Sequence, residues 1–169
     1  MRARAWVLMA LLAGCGGTGG AGSTTGTTAD PALAATRCHT GQLRARIESA
    51  TATTTVVSLT NTGTVACALE GYVRLELLDG AGAVLPVQPA RLADVPSRRV
   101  TVTPGRTASF ELRTRSTAAG GAPCTVVTPV RLRITPPDES EALNVDVGGA
   151  TGVAGCDSQY GVTAMTPGL

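Results

Sequence analysis

Apolar and polar residues alternate with period two along most of the chain after residue 36, most densely from Thr53 to Asp79. Val57 and Leu59 share one face of that stretch, while Val56, Ser58 and Thr60 share the other. Val73, Leu75 and Leu77 repeat the pattern, with Arg74 and Glu76 facing away. Such alternation marks a strand with one buried face. Between the runs, Asn61-Thr62-Gly63 predicts a tight turn, because Asn and Gly both tolerate positive φ. A short return strand through Cys67 and a corner at Glu70-Gly71-Tyr72 complete the expected hairpin.

The same reading extends over the rest of the chain. Leu43, Ala45 and Ile47 against Arg44, Arg46 and Glu48 predict a first strand. Asp79-Gly80-Ala81-Gly82 predicts a turn into residues 83–87. Pro86, Pro89 and Pro96 bar a central strand, since proline cannot donate to a ladder, so residues 86–97 are expected as an edge strand and loop. Residues 98–103 read as a strand closed by Pro104-Gly105. Ala108, Phe110 and Leu112 face inward in the next strand, and residues 116–123 read as a small-residue loop. One strand is expected over residues 124–134, with Val130, Leu132 and Ile134 inward. Leu143, Val145 and Val147 mark the last clear strand, and residues 148–169 read as a looser tail anchored by Cys156. No segment after Thr36 has a helical period. About eight short strands separated by turn signals predict an all-β sandwich or small barrel.

Asn61-Thr62-Gly63, Cys67-Ala68-Leu69 and Gly71-Tyr72 resemble the centre of the domain-of-unknown-function family 4232, found on bacterial secreted lipoproteins. Pro104-Gly105 with Ala108 and Phe110, then Cys124, then Leu132-Arg133-Ile134-Thr135-Pro136 extend the resemblance. It spans residues 38 to 156. Val73 stands where the family usually carries proline. The resemblance implies an immunoglobulin-like antiparallel β-sandwich and no established activity.

The N-terminal end changes the picture from an isolated domain to an exported one. Residues 1–14 read as a lipoprotein signal peptide: Arg2 and Arg4 supply the positive start, and residues 5–13 the apolar stretch. That stretch is shorter than the roughly 20 residues of a membrane-spanning helix. Leu12-Ala13-Gly14-Cys15 then reads as a lipobox, with Cys15 as the thiol that takes a diacylglyceryl group. Residues 15–36 form the lipidated Cys and a flexible Gly/Ser/Thr linker, too poor in apolar side chains to offset their ordering entropy. Its reach is about 25 Å, and plain disorder is preferred over O-linked sugar on its threonines. The glycine run lacks the Lys-Ser/Thr ending of a phosphate loop. The β-sandwich domain is expected over residues 37–169.

Charge and aromatics narrow the partners. The formal charge of +2 comes from Arg2 and Arg4; the twelve remaining Arg balance twelve acidic residues, and there is no lysine. A neutral domain lacks the basic footprint that nucleic acid demands. Aromatics are 2% of the chain, and without the leader's Trp6 only Tyr72, Phe110 and Tyr160 remain. They make a poor stacking platform for sugars or bases.

Five cysteines divide as one plus four. With Cys15 lipidated, Cys38, Cys67, Cys124 and Cys156 predict two disulfides in an oxidising compartment. Three pairings are open. Cys38–Cys67 with Cys124–Cys156 is preferred, because each joins sequence neighbours and brackets a hairpin. The wide spacings speak against zinc, which favours close Cys pairs. His39 is the only histidine, and it lies far in sequence from Met165, its one domain methionine. It is expected as an exposed residue rather than a copper ligand. No G-x-S-x-G elbow presents a serine for a triad. Glu48, Glu76, Glu111 and Asp146 fall on polar strand faces, and Asp138-Glu139-Ser140-Glu141 reads as a solvated turn.

The expectation is therefore a non-catalytic binding or interaction module without cofactor or metal. It sits on the outer side of the cell membrane, anchored through Cys15. Its partner would be an envelope protein, a cell-wall polymer or a small solute. The rival readings are a cell-envelope enzyme using carboxylates and a structural component of an envelope complex.

Overall fold

The computed structural model describes residues 35–115, 124–150, 153–157 and 160–168. The expected signal peptide, Cys15, residues 16–34 of the linker and the loop at 116–123 lie outside the described residues. Among the described residues fourteen strands make an all-β structure: β1 (Thr36–Arg37), β2 (Leu43–Ala50), β3 (Thr54–Asn61), β4 (Cys67–Glu70), β5 (Arg74–Leu78), β6 (Ala90–Leu92), β7 (Arg99–Val102), β8 (Thr107–Arg113), β9 (Val126–Val127), β10 (Arg131–Thr135), β11 (Leu143–Asp146), β12 (Gly155–Cys156), β13 (Gly161–Thr163) and β14 (Thr166–Pro167). Eight of them have four residues or more. A 3-10 turn spans Thr40–Gln42.

The largest sheet runs β2-β3-β8-β13-β6, with β14 also paired to β8. A second runs β11-β10-β5 and a third β1-β4-β7, while β9 and β12 form a short ladder of their own. One core joins them. Leu59, Phe110 and Leu112 come from the largest sheet, Leu77, Leu132 and Ile134 from the second, and Leu69 and Val102 from the third. The inward residues expected on β5 and β8 all lie in this core: Leu75, Leu77, Ala108, Phe110 and Leu112.

Four expectations are corrected. Residues 53–79 do not form a hairpin. β3 pairs with β2 and β8, whereas β4 pairs with β1 and β7, so the chain changes sheets between Asn61 and Cys67. Neither Asn61 nor Gly63 takes positive φ. Asn61 acts through its side chain instead. Its Oδ1 accepts from Gly63 N at 2.8 Å, and its Nδ2 donates to Val65 O and Val102 O, each at 2.9 Å. This buried amide satisfies backbone groups that a crossover would otherwise strand.

The second correction is Ser58, which is buried rather than solvated. β3 is a central strand, and Ser58 Oγ donates to Glu48 Oε1 from the neighbouring strand. The third is the strand expected over 124–134, which breaks into β9 and β10 around Pro129, leaving Val130 50% exposed. A proline there removes the donor a continuous ladder needs. The fourth is the tail. It supplies β12, β13 and β14, and buries Val153, Tyr160, Val162 and Met165. β13 runs antiparallel to β8 and parallel to β6, so the last strands complete the largest sheet. Residues 86–97 do supply an edge strand, β6.

Candidate functional site

β5 borders its sheet on one side, with β10 as its partner on the other. Residues 83–85 cover part of that border: Leu85 N donates to Leu77 O at 2.8 Å, and Asp79 N donates to Ala83 O at 3.0 Å. The chain then bends, with Val87 N donating to Leu85 O at 2.7 Å, and Val87 turns inward. It reaches β6 where Ala90 N donates to Tyr160 O at 2.8 Å. The bend leaves a groove of about 760 Å³ between β5 and β6, within the size range of ligand sites.

The groove has an apolar floor of Val73, Leu75, Val87 and Val162, all buried. Its walls are mixed, with Arg74, Glu76, Gln88 and Arg91 beside Val84, Leu85 and two prolines. The Arg91 guanidinium lies 5.4 Å from the centre of the Tyr72 ring, close enough for a cation–π contact. Tyr72 is in turn fixed by donating its hydroxyl to Leu92 O at 3.0 Å. Arg74 Nη2 donates to Thr135 Oγ1 at 3.3 Å. Glu76 is paired across the sheet with Arg133 at 3.3 Å. Sequence reading placed Arg74 and Glu76 outward on β5 but did not find the groove. Its signal is the Pro86–Pro89 segment, whose prolines cannot extend the β5 ladder.

A cleft of about 600 Å³ lies at one end of the largest sheet, lined by Arg113, Arg115, Thr114 and Tyr160 among others. Arg113 is held there by Asp94 and by Glu111, the latter at 2.8 Å. These hydrogen bonds, Asp94 first, raise its pKa and keep it charged. The Tyr160 hydroxyl donates to Val153 O at 2.7 Å, with Val127 O at 3.2 Å. Burial pushes its pKa up to about 12, which holds the phenol neutral.

A third hollow, of about 420 Å³, gathers Arg37, His39, Thr40 and Glu139. Glu139 is not the solvated residue expected. Its side chain is only 9% exposed, and one oxygen accepts from Thr40 N and Thr40 Oγ1, each at 3.1 Å. His39 Nδ1 lies 3.1 Å and Arg37 Nε 3.4 Å from its other oxygen. The Thr40 backbone bond leads in lowering the Glu139 pKa, and the Thr40 hydroxyl and His39 add to it. Pro136 and Pro137 are buried, and Asp138 takes φ 61°, so the turn is shaped to aim Glu139 at the start of the domain. His39 is exposed, as expected, whereas Met165 is buried with its N–H on Gly71 O.

Cys38 is joined to Cys67 with Cα atoms 4.8 Å apart, and Cys124 to Cys156 at 5.5 Å. The first bond ties the start of the domain to β4, the second ties the chain before β9 to β12. Cys15 lies outside the described residues. The outward carboxylates are engaged by neighbours: Glu48 by Ser58, Glu76 by Arg133, Glu111 by Arg113, and Asp146 by Arg131 at 2.8 Å. Among the described residues no three His, Cys, Asp or Glu side chains gather to hold a metal ion. The family described as a domain of unknown function, DUF4232, matches residues 38–166. No curated protein and no solved structure matches the chain.

Proposed function

The chain belongs to the DUF4232 family, and on that premise we propose that it is a non-catalytic binding module of the cell envelope. In this reading a lipid on Cys15 holds it to the outer side of the cell membrane, and the linker carries the domain away from the surface. We assign the domain an immunoglobulin-like β-sandwich. Support comes from the eight longer strands, which fall on the largest sheet and on the β5 and β4 sheets, with one core shared among them.

The observation that carries the reading is the groove between β5 and β6. It combines a buried apolar floor with guanidiniums on its wall, which suits recognition. Among the described residues it contains no histidine, and the one carboxylate lining it, Glu76, is paired with Arg133. Acid–base chemistry needs a group prepared for proton transfer, and an ion-paired glutamate is not one.

A photo-crosslinking residue in place of Gln88, exposed at the groove, tests this in cells carrying the full-length protein. A discrete adduct is expected from Gln88, and none from Arg46 on β2 at the far end of the largest sheet. Equal adducts from both positions, or none from either, would overturn the assignment.

A further inference from the structure

Resting on that reading of the groove, we infer that its occupant is an extended, acidic peptide strand that adds to the uncovered half of β5. The direction of the backbone groups points to it. Leu77 O accepts from Leu85 N, so Leu77 turns its backbone away from β10 and toward the border. Strand geometry repeats every second residue, so Leu75 turns the same way. The Leu75 N–H and C=O therefore face the border rather than β10, and no hydrogen bond from residues 83–89 reaches them. Residues 83–85 reach only as far as Leu77, and the bend at Val87 carries the chain off before Leu75.

An unpaired border of this kind recruits another strand unless it is blunted. The border of β2 carries Arg44, Arg46, Glu48 and a register shift between Ile47 and Ser49. β11, at the far side of the β5 sheet, lies against β2. The β5 border instead opens on the cavity of about 760 Å³.

Charge and shape select the occupant. Arg91 rests on Tyr72, and Arg74 meets only the Thr135 hydroxyl, so neither has a carboxylate partner among the described residues. Glu76 is already neutralised. The surplus is positive, and an Asp or Glu on the incoming strand would answer it. Side chains on the alternate positions would enter the floor at Val73, Leu75 and Val162. A polysaccharide would want an aromatic face, and among the described residues no aromatic side chain lines the groove.

The test uses the full-length protein in detergent and a random heptapeptide library. Enriched peptides should alternate β-branched residues with at least one Asp or Glu and hold no Pro in that run. Their binding should slow amide exchange over residues 73–77 by about tenfold or more. Arg91→Glu and Arg74→Glu should each weaken binding about tenfold, the worth of one partly desolvated charge pair. The two arginines sit on different strands, and thermal melts check that each variant folds. Methylating alternate amide nitrogens of a selected peptide should abolish binding.

Failure to enrich any such peptide overturns strand addition. So does enrichment of peptides that bind both variants like wild type and leave exchange over residues 73–77 unchanged. If Gln88 still captures a partner in cells, the groove binds something other than a strand, and only this inference falls.

Discussion

At the scale of single residues, buried polar side chains rather than exposed ones decide how this chain is tied together. Asn61 and Glu139 each bind backbone groups from another part of the sequence. Glu139 also sets a pH dependence. Its pKa lies below the ordinary value of 4.5, so the ionised form is favoured by folding. The resulting stability is present above pH 4.5 and is lost as pH falls through the depressed value. The groups facing the carboxylate are Thr40, His39 and Arg37, with Asp138 and Glu141 in the same hollow. Wild type should therefore lose more stability below pH 4.5 than Glu139→Gln does, while the variant is the less stable at neutral pH. Urea unfolding at a series of pH values measures both. Parallel curves for the two proteins would show that the contacts to Glu139 are not charge-assisted. His39→Ala removes an exposed partner of Glu139, and such pairs are worth about 0–1 kcal/mol.

At the scale of elements, the legible strands are those with one wet face. β2, β5 and β8 alternate because their outward residues meet water or a charged neighbour. β13 does not alternate: Gly161, Val162 and Thr163 are all buried, so the sequence shows no polar face to betray a strand. The sheet change after β3 was illegible for another reason. The signal of Asn61 and Gly63 fits a hairpin equally well, and only the distant partner Val102 tells the crossover apart. The groove was hidden because Pro86 and Pro89 mark that the chain leaves the β5 ladder but not where it goes, and its far side, β6, is set by pairing with the distant β13. The disulfides act at this scale too. Cys38 and Cys67 are separated by 29 residues, and losing the bond should cost about 3–4 kcal/mol in the chain-entropy picture. A Cys38→Ala/Cys67→Ala double variant, unfolded in urea without reductant, measures the cost. Cys124–Cys156 closes a similar span of 32 residues, yet it sits on the two-residue ladder of β9 and β12. Its removal should free that ladder to exchange amide hydrogen more than it lowers the midpoint of the whole domain.

At the scale of the whole molecule, the proposed attachment depends on one atom, the sulfur of Cys15. A folded domain can also reach a membrane through charge, each basic residue near an anionic surface adding about 1 kcal/mol. That route is weak here, because the twelve Arg beyond residue 14 are balanced by twelve acidic residues and there is no lysine. Two acyl chains, at about 0.8 kcal/mol for each buried methylene, hold without help from charge. The wild-type protein should then partition into the detergent phase, take up an alkyne-tagged fatty acid, and resist a high-salt wash. Cys15→Ala should take up no fatty acid and leave the membrane fraction at low salt as well as high, since no electrostatic attraction remains to retain it. A wild-type protein found in the aqueous phase would overturn the lipid anchor. A Cys15→Ala protein released only by salt would instead mean that local clusters such as Arg44 and Arg46, not the balanced total, govern the approach to the surface.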